Sequence, residues 1–172
     1  MTTRKSKLTQ LLCIGSLLFI LGCKVNYSFT GASVSPDIHT ISIAVFPSYA
    51  ALAPPNLSQT FTESLKDIFL RQTNLTLVRA NGDIQIEGEI TGYDERPEAV
   101  SGSETATLTR LTITVKVRYT DTKDETKSYE QSFSNFAQFD GGTNLSTVEQ
   151  TLITEINEKL TQDIFNKSLG NW

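Results

Sequence analysis

The sequence is short of the groups that chemistry usually requires. Its 172 residues include two cysteines and one histidine. Cys13 and Cys23 both stand near the start, so the rest of the chain can form neither an internal disulfide nor a thiolate metal cluster. His39, the lone histidine, sits in a polar approach to the first strand-like stretch, where it supplies neither a ligand set nor a catalytic triad. No glycine loop precedes a helix to cradle a phosphate: Gly82, Gly88 and Gly92 fall in a turn and in a strand. No apolar run is long enough for a membrane span, since the longest, Leu11 to Leu21, has eleven residues against the ~20 a helix needs. Basic residues are also scarce. Beyond Gly22 twelve remain against nineteen acidic ones, a net near −7, which argues against nucleic acid as a partner. These absences exclude most enzyme classes, and no cofactor or metal is expected.

The beginning of the chain carries the clearest positive signal. Arg4, Lys5 and Lys7 precede the short apolar run, which ends in Gly22-Cys23. This is the pattern of a bacterial lipoprotein signal peptide over 1–22, with cleavage before Cys23 and acylation of its thiol and its new amine. Each buried methylene contributes about 0.8 kcal/mol and stable anchoring takes two lipid signals, so a multiply acylated Cys23 would hold the chain firmly on a membrane. The competing reading is an ordinary secretory signal with Cys23 incidental, and Leu21 is bulkier than the small residue common at its position. Residues 23–38 read as the lipidated tether and lead-in, and 39–172 as one domain, a size that supports a single core.

Hydrophobic periodicity lays out that domain. Thr40 to Phe46 alternates, with Ile41, Ile43 and Val45 expected on the core face before Pro47 stops the ladder. Asn56 is placed to cap a helix in which Leu57, Phe61, Leu65, Ile68 and Phe69 recur at steps of three and four. Leu75 to Val78 reads as a short strand, and Asn81-Gly82 as the tight turn of a hairpin. Asp83 to Tyr93 alternates, with Ile84, Ile86 and Ile90 inward. The polar stretch Asp94 to Thr105 reads as a hairpin tip. Ala106 to Thr120 returns with Leu111, Ile113, Val115, Val117 and Tyr119 on one face and Arg110, Thr112, Thr114, Lys116 and Arg118 on the other. Leu108 breaks that parity, which predicts a bulge near Thr109 and Arg110 or a strand leaving the core there. After a charged turn, Ser128 to Phe139 forms the last strand. Ser146 and Glu149 make a capping-box pattern ahead of Val148, Leu152, Ile156, Leu160 and Ile164. The expected fold is α+β: two amphipathic helices packed on one face of a four- to five-stranded, mainly antiparallel sheet.

Glu87 and Glu89 share a strand face and superficially resemble a catalytic carboxylate pair, but alternation alone explains them as a solvated face. Gly88 and Gly92 either relieve local twist or admit a close neighbour. Lys116 and Arg118 are expected to pair across the sheet, opposite Glu87 and Gln85 respectively. In that register Arg110 lies opposite Tyr93, near Arg96 and without an acid directly across, so the hairpin end holds the better recognition candidates.

These residues resemble the LptE family of lipopolysaccharide-assembly lipoproteins, in a form diverged from the enteric one. The resemblance rests on the lipobox, on Tyr27 to Ala32, on the helix from Leu57-Ser58-Gln59 through Gln72-Thr73, and on Gly82-Asp83-Ile84-Gln85-Ile86-Glu87-Gly88. It implies two helices on a sheet, no catalytic activity, and a domain that plugs the β-barrel of LptD at the outer membrane while assisting its assembly. The chain would be lipid-anchored and periplasm-facing or within the barrel lumen. Lys24 following the cysteine allows the outer membrane by analogy. Lipopolysaccharide is a second implied partner, and Arg96 and Arg110 are offered by position as groups that could pair with lipid A phosphates, although the acidic surface opposes any general attraction to so anionic a lipid. The alternative is an anchored periplasmic ligand-binding lipoprotein unrelated to a barrel.

Overall fold

The computed structural model describes residues 34–99 and 107–170. Cys23, the signal peptide and the centre of the hairpin tip lie outside them. The order is β1 (Thr40–Ile43), α1 (Leu57–Gln72), β2 (Thr76–Val78), β3 (Ile84–Ala99), β4 (Thr107–Asp121), a 3-10 turn at Glu125–Lys127, β5 (Tyr129–Asp140) and α2 (Leu145–Leu169). The five strands form one sheet in the order β2-β1-β3-β4-β5. β1 pairs in parallel with both β2 and β3, and the far longer β3, β4 and β5 pair antiparallel. The fold is α+β, as the periodicity implied.

Both helices follow their apolar stripes. α1 buries Leu57, Phe61, Thr62, Leu65, Ile68 and Phe69, and α2 buries Leu152, Ile153, Ile156, Leu160, Ile164 and Phe165 among others. The core they close over the sheet is aromatic at its joints: Phe46 meets Phe61 edge-on at 5.1 Å and Phe69 meets Phe165 likewise. Such pairs contribute about 0.5–1.5 kcal/mol beyond their buried area. Tyr129 stacks on Tyr119 at 5.3 Å, and burial pushes the Tyr129 hydroxyl up to about 12.

The helix starts differ from expectation in detail. Asn56 makes no capping bond; its amide donates instead to Gln150 Oε1 on α2 at 3.1 Å. α2 is capped by Asn144, whose Oδ1 accepts from the Ser146 backbone at 3.0 Å. Glu149, freed from a capping box, accepts the Tyr93 hydroxyl at 2.6 Å and ties the first turns of α2 to β3.

The Asn81-Gly82 turn does not close a hairpin. Asn81 has φ 55°, as a tight turn needs, yet β2 and β3 lie on opposite sides of β1. The link between them crosses β1 directly. A Cβ on Gly82 would stand 2.6 Å from Ser42 N and 2.8 Å from Ile41 C, so only glycine permits the crossing. Asp83 then locks the link: its Oδ2 accepts from the backbones of His39 and Thr40 and from Thr40 Oγ1, and its Oδ1 is 3.1 Å from Lys123 Nζ.

β1 is shorter than its alternation suggested. Ile41 and Ile43 are buried, but Val45 is exposed and Phe46 takes the inward place. The chain leaves the ladder because Phe46 fills the space over Gly88, where a Cβ would lie 2.5 Å from the ring. Thr62 Oγ1 and Ser58 Oγ hold the Phe46 backbone in that position.

β3 extends through the first half of the expected loop, to Ala99. β4 keeps strict parity, with Thr109 buried on the core face ahead of Leu111 and Leu108 turned to the other face. The irregularity predicted near Thr109 and Arg110 falls in the partner strand instead, between Ile90 and Gly92.

Candidate functional site

The helices cover one sheet face and leave the other open. On that open face β3 presents Gln85, Glu87, Glu89, Gly92, Asp94, Arg96 and Glu98, β4 presents Arg110 through Thr120 at alternate positions, and β5 presents Glu130, Ser132, Ser134, Phe136 and Gln138. Alternation places them there: inward positions of the same strands carry the core, and outward ones carry hydroxyls and charges.

The register differs from the expected one by two residues below the bulge and three above it. Lys116 lies opposite Glu89, Arg118 opposite Glu87, and Arg110 opposite Arg96. A slip of two residues preserves every side chain's face, so the hydrophobic pattern fixes parity and leaves this freedom. The consequence for Arg110 is large. Its guanidinium pairs with Glu98, which also accepts the Gln138 amide, and it lies 3.9 Å over the Phe136 ring. Arg110 therefore has an acidic partner, contrary to expectation, while Arg96 is exposed on the neighbouring strand.

Lower on the face, Glu130 acts as a clamp. Lys116 Nζ is 2.6 Å from its Oε1 and Arg118 Nη2 is 2.8 Å from its Oε2. The Lys116 hydrogen bond, followed by that from Arg118, holds the Glu130 carboxyl below its usual range, and Glu130 in turn raises Lys116. Cross-strand pairing was expected for these two cations, and it occurs, but with β5 as the partner strand. Glu87, Gly88, Glu89, Lys116, Arg118 and Glu130 line an open depression of about 260 Å³. Its walls carry three carboxylates and two cations, both cations held by Glu130, a surface suited to polar contact and poorly suited to holding an apolar ligand.

No group of three or more His, Cys, Asp or Glu side chains among the described residues could hold a metal ion. His39 is exposed, and its backbone serves Asp83. Gly88 accommodates an internal neighbour, the Phe46 ring, and Gly92 lies at the bulge against Thr114. Among the described residues no helix is long and apolar enough to cross a membrane.

The sequence reading missed three participants. Glu98 and Gln138 were hidden in a presumed loop and on an uncommitted strand, and Glu130 could be placed only with the strand order known. A fourth feature had left a signal: residues 44–56 contain no charged side chain in a chain that is 20% charged.

A family model described as "LptE: Lipopolysaccharide-assembly" matches residues 38–168. No curated protein matches the chain. Among solved structures, a minor lipoprotein from Acinetobacter baumannii is similar at 15% identity and a TM-score of 0.50, covering 76% of this chain and 91% of that one. A hypothetical protein from Chlamydia trachomatis is similar at 10% identity and a TM-score of 0.52, over 76% of this chain and 98% of the other. A protein from Xanthomonas campestris gives 10% identity and a TM-score of 0.50, over 80% and 90%. At these identities the structural likeness concerns the fold alone.

Proposed function

The chain belongs to the LptE family, and from that membership we propose that it is a non-catalytic outer-membrane lipoprotein, acylated on Cys23, that plugs an LptD-type β-barrel and assists its assembly. A role in lipopolysaccharide assembly comes with the family. The barrel partner, the acylated cysteine and the outer-membrane location are the proposal.

The observation that carries it is the uncovered sheet face. Thr112, Thr114, Ser132 and Ser134 alternate there with charges that neutralise one another through Glu130 and Glu98. A face this polar gains little from a hydrophobic partner, whereas the lumen of a membrane β-barrel is itself polar and lined by alternating side chains. The shape agrees. The Tyr93 to Glu149 bond marks the level of the first turns of α2, and β3 continues six residues beyond Tyr93, about 20 Å at the rise of an extended strand. The end formed by β3 and β4 thus projects past the helices as an insertable arm.

Arg96 and Arg110 face each other near the end of this arm. In this reading they are the groups that meet lipid A phosphates, with Arg96 the freer of the two and Arg110 partly occupied by Glu98 and Phe136. Unchanged lipopolysaccharide binding at low salt by the chain carrying Arg96→Ala with Arg110→Ala would exclude them.

The testing experiment is purification of the tagged, full-length chain from native envelopes in mild detergent. A large outer-membrane barrel recovered in near-stoichiometric amount is the expected result. An isolated monomer, recovered from cells that contain such a barrel, would overturn the reading in favour of an anchored ligand-binding lipoprotein.

A further inference from the structure

Among the described residues the segment between β1 and α1 groups the three most exposed large apolar side chains. From Ala44 to Asn56 there is no charged residue, and three large apolar side chains stand out of it: Val45 is 65% exposed, Tyr49 71% and Leu52 78%. Pro47 and Ala51 are exposed between them, and Ala44 and Pro55 on either side. Single exposed apolar residues are ordinary, but three within eight positions on one uncharged loop form a patch that calls for an occupant.

The loop is built rather than slack. Phe46 anchors it in the core. Pro47 O accepts from Ile90 N at 2.9 Å, and Tyr49 N donates to Ile90 O at the same distance. Ala53 N donates to Ala50 O at 3.1 Å and Leu57 N to Pro54 O at 3.0 Å, while Pro47, Pro54 and Pro55 have no N–H to satisfy. The Ala50, Ala51 and Leu52 N–H groups make no bond within the loop, which suits the loop to the headgroup level, where water and phosphate accept from them, and not to the hydrocarbon interior.

From this we infer that the loop carrying Val45, Tyr49 and Leu52 dips into the lipid surface beside the anchor, so that the protein holds the membrane at two points and its orientation is fixed. The inference rests on the acylation of Cys23. Ten residues, Lys24 to Ser33, separate that cysteine from the first described residue, a reach of at most about 36 Å. α1 runs from the loop back to the level at which β1 starts, where Thr76 pairs with Thr40. Its 16 residues span about 24 Å. The tether therefore reaches the loop's level, and a domain resting its loop on the bilayer keeps the anchor within span. Tyr49, an aromatic ring with a polar tip, is the residue type favoured where acyl chains meet headgroups. The arm formed by β3 and β4 lies beyond this contact, free to enter a barrel mouth.

The test uses the full, lipidated chain with Trp172→Phe and Tyr49→Trp, reconstituted in phosphatidylethanolamine–phosphatidylglycerol vesicles whose acyl chains are brominated. The indole at position 49 is expected to emit at shorter wavelength, to lose most of its emission to the brominated lipid and to resist iodide. Because the loop is uncharged, these readings should not change with salt. Adding Val45→Asp and Leu52→Asp should abolish the quenching while circular dichroism stays unchanged. A matched chain with Ser134→Trp, on the open sheet face, should remain accessible to iodide. An indole at position 49 that stays aqueous in vesicles would overturn the inference, as would one shielded only when the barrel protein is co-reconstituted, which would assign the loop to protein contact. Mass spectrometry of the peptide containing Cys23 separates the two levels: an unacylated cysteine refutes the parent reading, whereas an acylated chain with an aqueous indole refutes this one alone.

Discussion

Gly88 on β3 lies beneath the ring of Phe46, so close that a methyl group on Gly88 would stand 2.5 Å from the ring carbon Cε1. The two residues are 42 positions apart, and their contact is what turns the chain off β1 and exposes the loop from Val45 to Leu52.

Gly88→Ala should therefore destabilise the domain by about 3 kcal/mol, the upper range for forcing extra volume into a packed core. Urea unfolding measures the loss. The methyl would also stand 2.1 Å from the Lys116 carbonyl oxygen, so Phe46→Leu relieves only the ring contact. The double mutant should lose less than the sum of the two single losses yet stay less stable than Phe46→Leu alone, and a double mutant as stable as Phe46→Leu would contradict the backbone clash.

Asp83→Asn should lower stability most at neutral pH. Hydrogen bonds from the His39 backbone, then from Thr40 and Lys123, hold the Asp83 carboxyl well below its usual range. A carboxylate depressed in the folded state contributes stability that is complete above its unfolded pKa, about 3.9, and that is lost as the pH falls towards the folded value. The gap in melting temperature between the parent and Asp83→Asn should thus be constant above about pH 5 and narrow in stronger acid. A gap that widened on acidification would refute the assignment.

Arg110→Ala should cost about 1 kcal/mol, since it removes a half-exposed ion pair to Glu98 and the stacking on Phe136. Arg96→Ala should change stability by less than about 0.5 kcal/mol. Chemical denaturation of the two variants side by side tests the contrast.

The long edge of β5 is blocked at Phe136, whose carbonyl accepts from Lys159 Nζ at 3.0 Å and whose N–H donates to Asn135 Oδ1 at 3.1 Å. Unpaired edges template association. Lys159→Ala with Asn135→Ala should raise light scattering on incubation without a comparable fall in melting temperature.

Much of this architecture was legible in the sequence, because it depends on period. The apolar stripe from Leu57 to Phe69 and the alternation from Leu111 to Tyr119 fix element type and face by local chemistry alone. What alternation cannot supply is strand register, since a shift of two residues leaves every face unchanged; this is why Arg110 was paired with Tyr93 rather than brought opposite Arg96 and onto Glu98. Topology is similarly hidden. Asn81-Gly82 signals a turn, but only the packing of Gly82 on the Ile41–Ser42 backbone shows that the chain crosses β1. At the open face the threonines and cations were visible, whereas the clamp by Glu130 required the neighbour relation of β4 and β5.

A chain that plugs a barrel lays its uncovered sheet face, along the arm, against the barrel wall. A photo-crosslinking residue at Thr112 or Gln138 on that part of the face, opposite Asp94 and Arg110 respectively, and another at Glu158 on the exposed side of α2, in cells producing the full chain, tests this. Thr112 and Gln138 are expected to crosslink to a single large outer-membrane barrel protein. No barrel adduct from either position, in cells that contain such a barrel, would contradict it, and an adduct from Glu158 alone would put the wrong face against the wall.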